Sequence, residues 1–173
     1  MIYEDIKQML RERDKIPYPE LRGINKNPIY AKYLYDSFAG EMGELSAITQ
    51  YIFEHIDKKL GQEVNKIMLL VAVDEMKHFN KIGNLIQELG LPPHYVSAKL
   101  NPWNSNFVRY DTGNLRETME YNIFTEKEAI KEYKRGIANT RNISIQKLLN
   151  RIILDEKSHI EIFTRIIEES SKI

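Results

Sequence analysis

The sequence predicts an all-α chain: an antiparallel four-helix bundle made of two helical hairpins joined by a long crossover, with a short N-terminal extension. Three observations predict it. Apolar residues recur at steps of three and four through four long stretches. Two of the three connections between those stretches are short, while the middle one takes about twenty residues. The second half of the chain also repeats a pattern found in the first.

Residues 1–27 read as an arm. MIYEDIKQMLRERDK forms a short amphipathic helix, and Pro17 and Pro19 make the remainder irregular. Residues 28–173 form the bundle, whose first hairpin spans 28–90. Asn27 and Pro28 supply an N-cap and a proline at the first helical position, and Leu34, Phe38, Glu41, Leu45, Ile48, Ile52 and His55 keep helical period, which predicts one helix to about Leu60. Gly61 interrupts. The second helix carries Val64, Ile67, Met68, Val71, Glu75, His78, Ile82, Leu85, Ile86 and Leu89 on one face and stops at Gly90, with prolines beyond. Residues 91–112 are prolines, asparagines and aromatics without period and form the crossover, which Trp103 and Phe107 are expected to pin over the bundle or into a subunit contact. In the second hairpin, 113–170, one helix runs from near Leu115 to near Ala138. After a turn over Asn139 to Ser144, the last helix carries Leu148, Leu149, Ile152, Ile153, Glu156, His159, Ile160, Phe163 and Ile167.

Composition removes several function classes. Lys plus Arg equals Asp plus Glu at 25 each, so no net field favours nucleic acid or an anionic membrane. The chain has no cysteine, which excludes disulfides, thiol nucleophiles and thiolate-held iron centres within it. No stretch approaches the ~18 apolar residues of a membrane span, and the charged N-terminus lacks a signal-peptide core. The expected location is the cytoplasm.

The internal repeat carries the chemistry. DEMKH at Asp74–His78 returns as DEKSH at Asp155–His159, and ELSAITQY at Glu44–Tyr51 returns as EKEAIKEY at Glu126–Tyr133. The spacing from the first glutamate to that of E-x-x-H is 31 (44 to 75) in one half and 30 (126 to 156) in the other. In an antiparallel hairpin, some fifteen residues up and fifteen back at ~1.5 Å each return to nearly the same height. Glu44, Glu75, His78, Glu126, Glu156 and His159 are therefore predicted to converge inside the bundle. Both E-x-x-H pairs lie on apolar faces, flanked by Val71, Phe79 and Ile82 or by Ile152, Ile160 and Phe163. Four buried carboxylates need neutralising charge, and two divalent cations supply it. A carboxylate and imidazole set suits manganese or iron, with bridging glutamates holding two ions ~3.5–4 Å apart.

Glu41 competes with Glu44 from one turn earlier, but the repeat places Ile123 at the position equivalent to Glu41. Tyr51 and Tyr133 are candidates to contact ligand carboxylates, with ordinary core tyrosines as the other reading. Asp74 and Asp155 are candidates to orient an imidazole on the neighbouring helix, with solvated carboxylates as the other reading. His55 and His94 lie outside the site.

These residues resemble the ferritin-like superfamily of dinuclear carboxylate proteins, over residues 28 to 169. GELSAITQY, the W-N-x-x-F-V segment and RIILDExxH are most similar to the bacterial manganese-catalase-like proteins, which are longer, with rubrerythrins and bacterioferritins as cousins. The resemblance implies the same six ligands and two divalent metal ions, manganese or iron. It implies hydrogen peroxide or dioxygen as substrate and a homo-oligomeric assembly. Three functions follow: peroxide disproportionation; a di-iron ferroxidase or a rubrerythrin-like peroxidase, the latter drawing electrons from a separate donor; and a non-catalytic metal-binding or structural role. The absence of an in-chain electron conduit and the closer motif likeness favour the first.

Overall fold

The computed structural model describes residues 2–111 and 113–171. Its helices are α1 (Ile2–Asp14), α2 (Pro28–Tyr33), α3 (Tyr35–Ala39), α4 (Glu44–Ile56), α5 (Gln62–Glu88), α6 (Leu115–Ala138) and α7 (Ile143–Ser170). Among the described residues, the only β pairing is an isolated bridge between Val96 and Pro102. α4 packs against α5 and α6 against α7 as antiparallel pairs, and α5 and α7 meet at the centre.

Several helix ends have a local cause. The side chain of Asn27 accepts from Tyr30 N at the start of α2, Asn114 from Glu117 N at α6, and Asn142 from Ile145 N at α7. Gly61, at φ 86°, turns the chain from the 3-10 turn Lys58–Leu60 into α5, and Gly90, at φ 99°, ends that helix.

The single helix expected from Asn27 to about Leu60 is instead three pieces. At Leu34 the backbone stays helical, so α2 and α3 nearly continue one another. The true break is Gly40 to Gly43. Gly40 is extended (ψ −179°), and a Cβ on Gly40 or Gly43 would sit 2.5 Å from the Asp36 carbonyl oxygen. Only glycine permits that approach, and the Ser46 hydroxyl fixes the turn by donating to Gly40 O at 2.8 Å. Periodicity was blind to the break because the apolar stripe resumes in phase. One consequence is that Glu44 opens a new helix.

Two apolar clusters fill the bundle, one on each side of a polar layer. On one side Leu34, Phe38, Ile82, Leu85, Ile86, Leu148, Leu149 and Ile152 pack together. On the other, Ile6 and Leu10 of α1 join Ile67, Met68, Val71, Met119, Ile162, Phe163 and Ile166. Between them, along α5 and α7, lie Asp74, Glu75 and His78 opposite Asp155, Glu156 and His159, all buried. The crossover lies along α4, with Trp103 Nε1 donating to Ser46 Oγ at 3.0 Å.

Candidate metal centre

The two halves of the repeat bring six side chains into one buried cluster. Glu44, Glu75, His78 and Glu156 can each offer a ligand atom within 4.8 Å of the others, and so can Glu75, Glu126, Glu156 and His159. Glu75 and Glu156 belong to both groups. His78 Nδ1 lies 2.9 Å from Glu75 Oε2 and 3.2 Å from Glu156 Oε1, while His159 Nδ1 lies 2.9 Å from Glu75 Oε1 and 3.1 Å from Glu156 Oε2. Each of these glutamates thus turns one oxygen toward each imidazole. Glu44 stands at the His78 end and Glu126 at the His159 end, each 3.6 Å from its imidazole Nδ1. Glu41 belongs to neither group; it is exposed on the turn before α4.

Second contacts hold these groups, and they cross between hairpins. Asp155 Oδ2 lies 3.0 Å from His78 Nε2, and Asp74 Oδ2 lies 3.0 Å from His159 Nε2. A ring that donates from Nε2 turns its Nδ1 lone pair toward the glutamates. The Tyr51 hydroxyl donates to Glu126, and the Tyr133 hydroxyl donates to Glu44. Each phenol, like each aspartate, therefore contacts a glutamate or histidine of the other hairpin. His55 lies outside both groups, with its Nδ1 2.7 Å from Asn65 O.

Several partners of this layer had no sequence signal. Arg13, at the end of α1, pairs with Asp74 and lies 2.7 Å from Asp155 Oδ1 through Nε. The Tyr18 hydroxyl donates to Asp155 Oδ2 at 2.5 Å, and Arg151 pairs with Asp155 from one turn away.

The charge state of the cluster follows from burial. Desolvation and the nearby Glu75 charge push the Glu44 carboxyl well above the ordinary range, and the same causes raise Glu126 to about 8. Burial alone would also raise Glu75, but the two facing imidazoles outweigh it and hold the carboxyl low. Burial alone would depress both imidazoles, yet the facing glutamate charges and the aspartate hydrogen bonds raise both. Without metal, protons on the rings and end carboxyls thus balance the buried negative charge.

The donor set fits divalent cations. Glu75 Oε1, Glu156 Oε2 and His159 Nδ1 are buried without a hydrogen-bond partner of acceptable geometry, the nitrogen standing 2.9 Å and 3.1 Å from the two oxygens. Once the ring gives up its Nδ1 proton, these atoms offer lone pairs that a cation satisfies, and oxygen with imidazole donors suits manganese and iron. A cleft lined by Met42, Phe107 and Tyr121 reaches down to Glu44, Glu75, Glu126 and Glu156, with a volume of about 30 Å³. That accommodates a molecule the size of water or peroxide.

One buried carboxylate breaks the symmetry of the repeat. Glu54, fully enclosed on α4, accepts from Asn122 Nδ2 at 2.7 Å and from Gln50 Nε2 at 2.8 Å. The repeat places Gly136 and Gly40 at the positions equivalent to Glu54 and Asn122. Burial pushes the Glu54 carboxyl up to about 7 despite those hydrogen bonds. With its folded value raised, its contribution to stability is present at low pH and is lost as pH rises through about 7. Glu54→Gln keeps the shape, and the partnerless Asn122 Oδ1 can accept from the new amide after a flip. The variant is expected to lose less stability than the wild type between pH 5 and pH 9 in urea unfolding; identical pH dependence would contradict this reading.

Comparison with known proteins agrees with the fold. The rubrerythrin family model matches residues 32–167. A manganese catalase of Lactiplantibacillus plantarum is 23% identical over 193 residues, covering 93% of this chain and 72% of the relative. A probable manganese catalase of Clostridium acetobutylicum is 23% identical over 159 residues, covering 80% and 70%. Among solved structures, a manganese catalase from Anabaena aligns with a TM-score of 0.82 at 22% identity, covering 91% of this chain and 78% of that one. The bacterioferritin of Mycobacterium tuberculosis aligns at 0.69 and 25% identity, covering 86% and 89%. No helix among the described residues is long and apolar enough to cross a membrane. With its bundle and its paired E-x-x-H layer inside the matched region, the chain belongs to the rubrerythrin family of ferritin-like proteins.

Proposed function

We propose that Glu44, Glu75, His78, Glu126, Glu156 and His159 hold two manganese or iron ions and that the protein disproportionates hydrogen peroxide. The observation that carries the reading is the sharing of Glu75 and Glu156 between two donor groups, each completed by its own histidine and end glutamate. Bound there, the metal pair would supply two-electron redox capacity, taking electrons from one peroxide and returning them to the next. The chain's own residues do the rest. Glu75 and Glu156 would bridge, Glu44 and Glu126 would cap the two ends, and Asp74 and Asp155 keep the proton on Nε2 of each ring so that Nδ1 is free to ligate. Tyr133 and Tyr51 hold the end carboxylates in place. The cleft lined by residues of α4 and α6 reaches the glutamates and has room for peroxide.

The support for disproportionation over reductant-driven chemistry is twofold. The chain has no cysteine to carry an electron-transfer iron centre. Relatives along most of the chain are named manganese catalases. The dimanganese protein is expected to release one dioxygen for every two peroxides with no reductant present, measured at an oxygen electrode, and Glu41→Ala is expected to leave this intact. Peroxide loss that depends on added reductant, without dioxygen, would reject the reading in favour of a peroxidase. Dioxygen uptake on adding ferrous iron would favour a ferroxidase, and no turnover by the fully metallated protein would favour a binding role.

A further inference from the structure

The arm before α2 lies outside the matched family region, which begins at residue 32, yet it reaches the polar layer at the bundle's centre. Ile6 and Leu10 seat α1 in an apolar cluster against α5 and α7, and one turn further on the same face stands Arg13, 9% exposed. Its guanidinium pairs with Asp74 on α5 through Nη2. Its Nε lies 2.7 Å from Asp155 Oδ1 on α7 as a close charge contact without the alignment of a hydrogen bond, and its Nη1 donates to the Asp155 carbonyl at 3.2 Å.

Those two aspartates are the groups that hold the two imidazoles, each at 3.0 Å, and each on the opposite hairpin. One side chain from the arm thus touches both anchors. The surrounding contacts fasten the arm in that position. Arg151 donates to Ile16 O at 3.0 Å and to Arg13 O at 3.4 Å, with its guanidinium 4.6 Å over the Tyr18 ring. Lys77 bridges Asp74 at 3.0 Å and Asp14 of the arm at 2.7 Å.

We propose that the N-terminal arm is a positioning clamp for the metal centre: Arg13 ties Asp74 to Asp155, fixes the orientation of both His159 and His78 at once, and so sets the affinity for both ions together. The clamp rests on the metal-centre reading above and not on the peroxide activity. A planar guanidinium presents several donors in a fixed fork and can engage two carboxylates simultaneously, whereas an ammonium is a point charge that engages one well. Losing a partner that orients a ligating histidine costs about 10–100-fold in metal affinity. Because Arg13 serves both aspartates, that loss should fall on both ions.

The test uses the full chain with Mn²⁺ as the probe. Affinity and ions per chain are measured by chelator competition and elemental analysis at fixed pH, and the bound ions by electron paramagnetic resonance. Arg13→Lys is expected to weaken both ions about 10–100-fold and to alter the resonance of the pair, and Arg13→Met to do so at least as strongly. Ile166→Ala, a core truncation in the cluster that receives α1 but with no part in the clamp, serves as the control for lost stability. It is expected to lower Tm while leaving affinity within about twofold. If Arg13→Met does not fold, Arg13→Lys decides. Wild-type affinity in Arg13→Lys, weakening of only one ion, or equal weakening by Ile166→Ala overturns the clamp. A wild-type chain that takes up neither manganese nor iron removes the metal centre, and the clamp with it.

Discussion

Glu156→Ala is expected to bind neither ion and to lose oxygen evolution more than about 100-fold, beyond the 10–100-fold range for removal of an outer partner. Its two oxygens face different imidazoles, at 3.2 Å and 3.1 Å, so one truncation strips a donor from both groups and would leave Glu75 alone to offset the repulsion of two bound cations. Glu75→Ala should behave alike for the same reason. Glu44→Ala removes a donor from the His78 group only. It should retain one ion per chain while also losing turnover, because a two-electron cycle needs both ions. Elemental analysis separates the cases: about zero ions for the bridging variants and about one for the end variant. Two ions retained by Glu156→Ala would refute the bridging role.

Metal removal is expected to lower Tm by roughly 16–32 °C relative to protein held in Mn²⁺ at a thousandfold excess over Kd. Such an excess stabilises by about 4 kcal/mol for each ion bound, about 8 kcal/mol for the two, and each kcal/mol moves Tm by about 2–4 °C in a chain of this size. The metal-free protein should in addition become less stable as pH rises above neutrality. Glu44 and Glu126 have raised folded values, and so do His78 and His159. The stability that these groups contribute is full below their unfolded values and is lost as pH climbs through the folded ones, about 8 in the case of Glu126. Glu75, Asp74 and Asp155 are held low, so their contribution is present above the ordinary carboxylate range and is lost only in strong acid. The metal-free optimum therefore falls at mildly acidic pH. Metal loading replaces the cluster's protons with cations and should flatten the alkaline fall. Scanning calorimetry with and without metal across pH tests both statements, and an unchanged Tm after verified metal removal would contradict them.

The sequence by itself determined the elements and the chemistry of the core. An α-helix places residues three and four apart on one face, so E-x-x-H among apolar neighbours announces a buried pair. The E-x-x-A-I-x-x-Y repeat at matched distances from it announces two equivalent halves. Those are local facts of helical geometry, and a periodic chain carries them openly. The structure rather than the period revealed the break at Gly40 to Gly43, where the clash that demands glycine comes from the Asp36 carbonyl four and seven residues back, which approaches only once the turn has formed. It decided that Tyr51 serves Glu126 and Tyr133 serves Glu44, each across the hairpin boundary, since periodicity fixes which face a side chain occupies but not the height at which another helix meets it. It also decided where the arm lies. In RERDK, Arg13 is one cation among several, and only the seating of Ile6 and Leu10 between α5 and α7 brings that guanidinium, rather than Arg11 or Lys15, to Asp74 and Asp155. Contacts between elements far apart in sequence arise from packing, which no local period encodes.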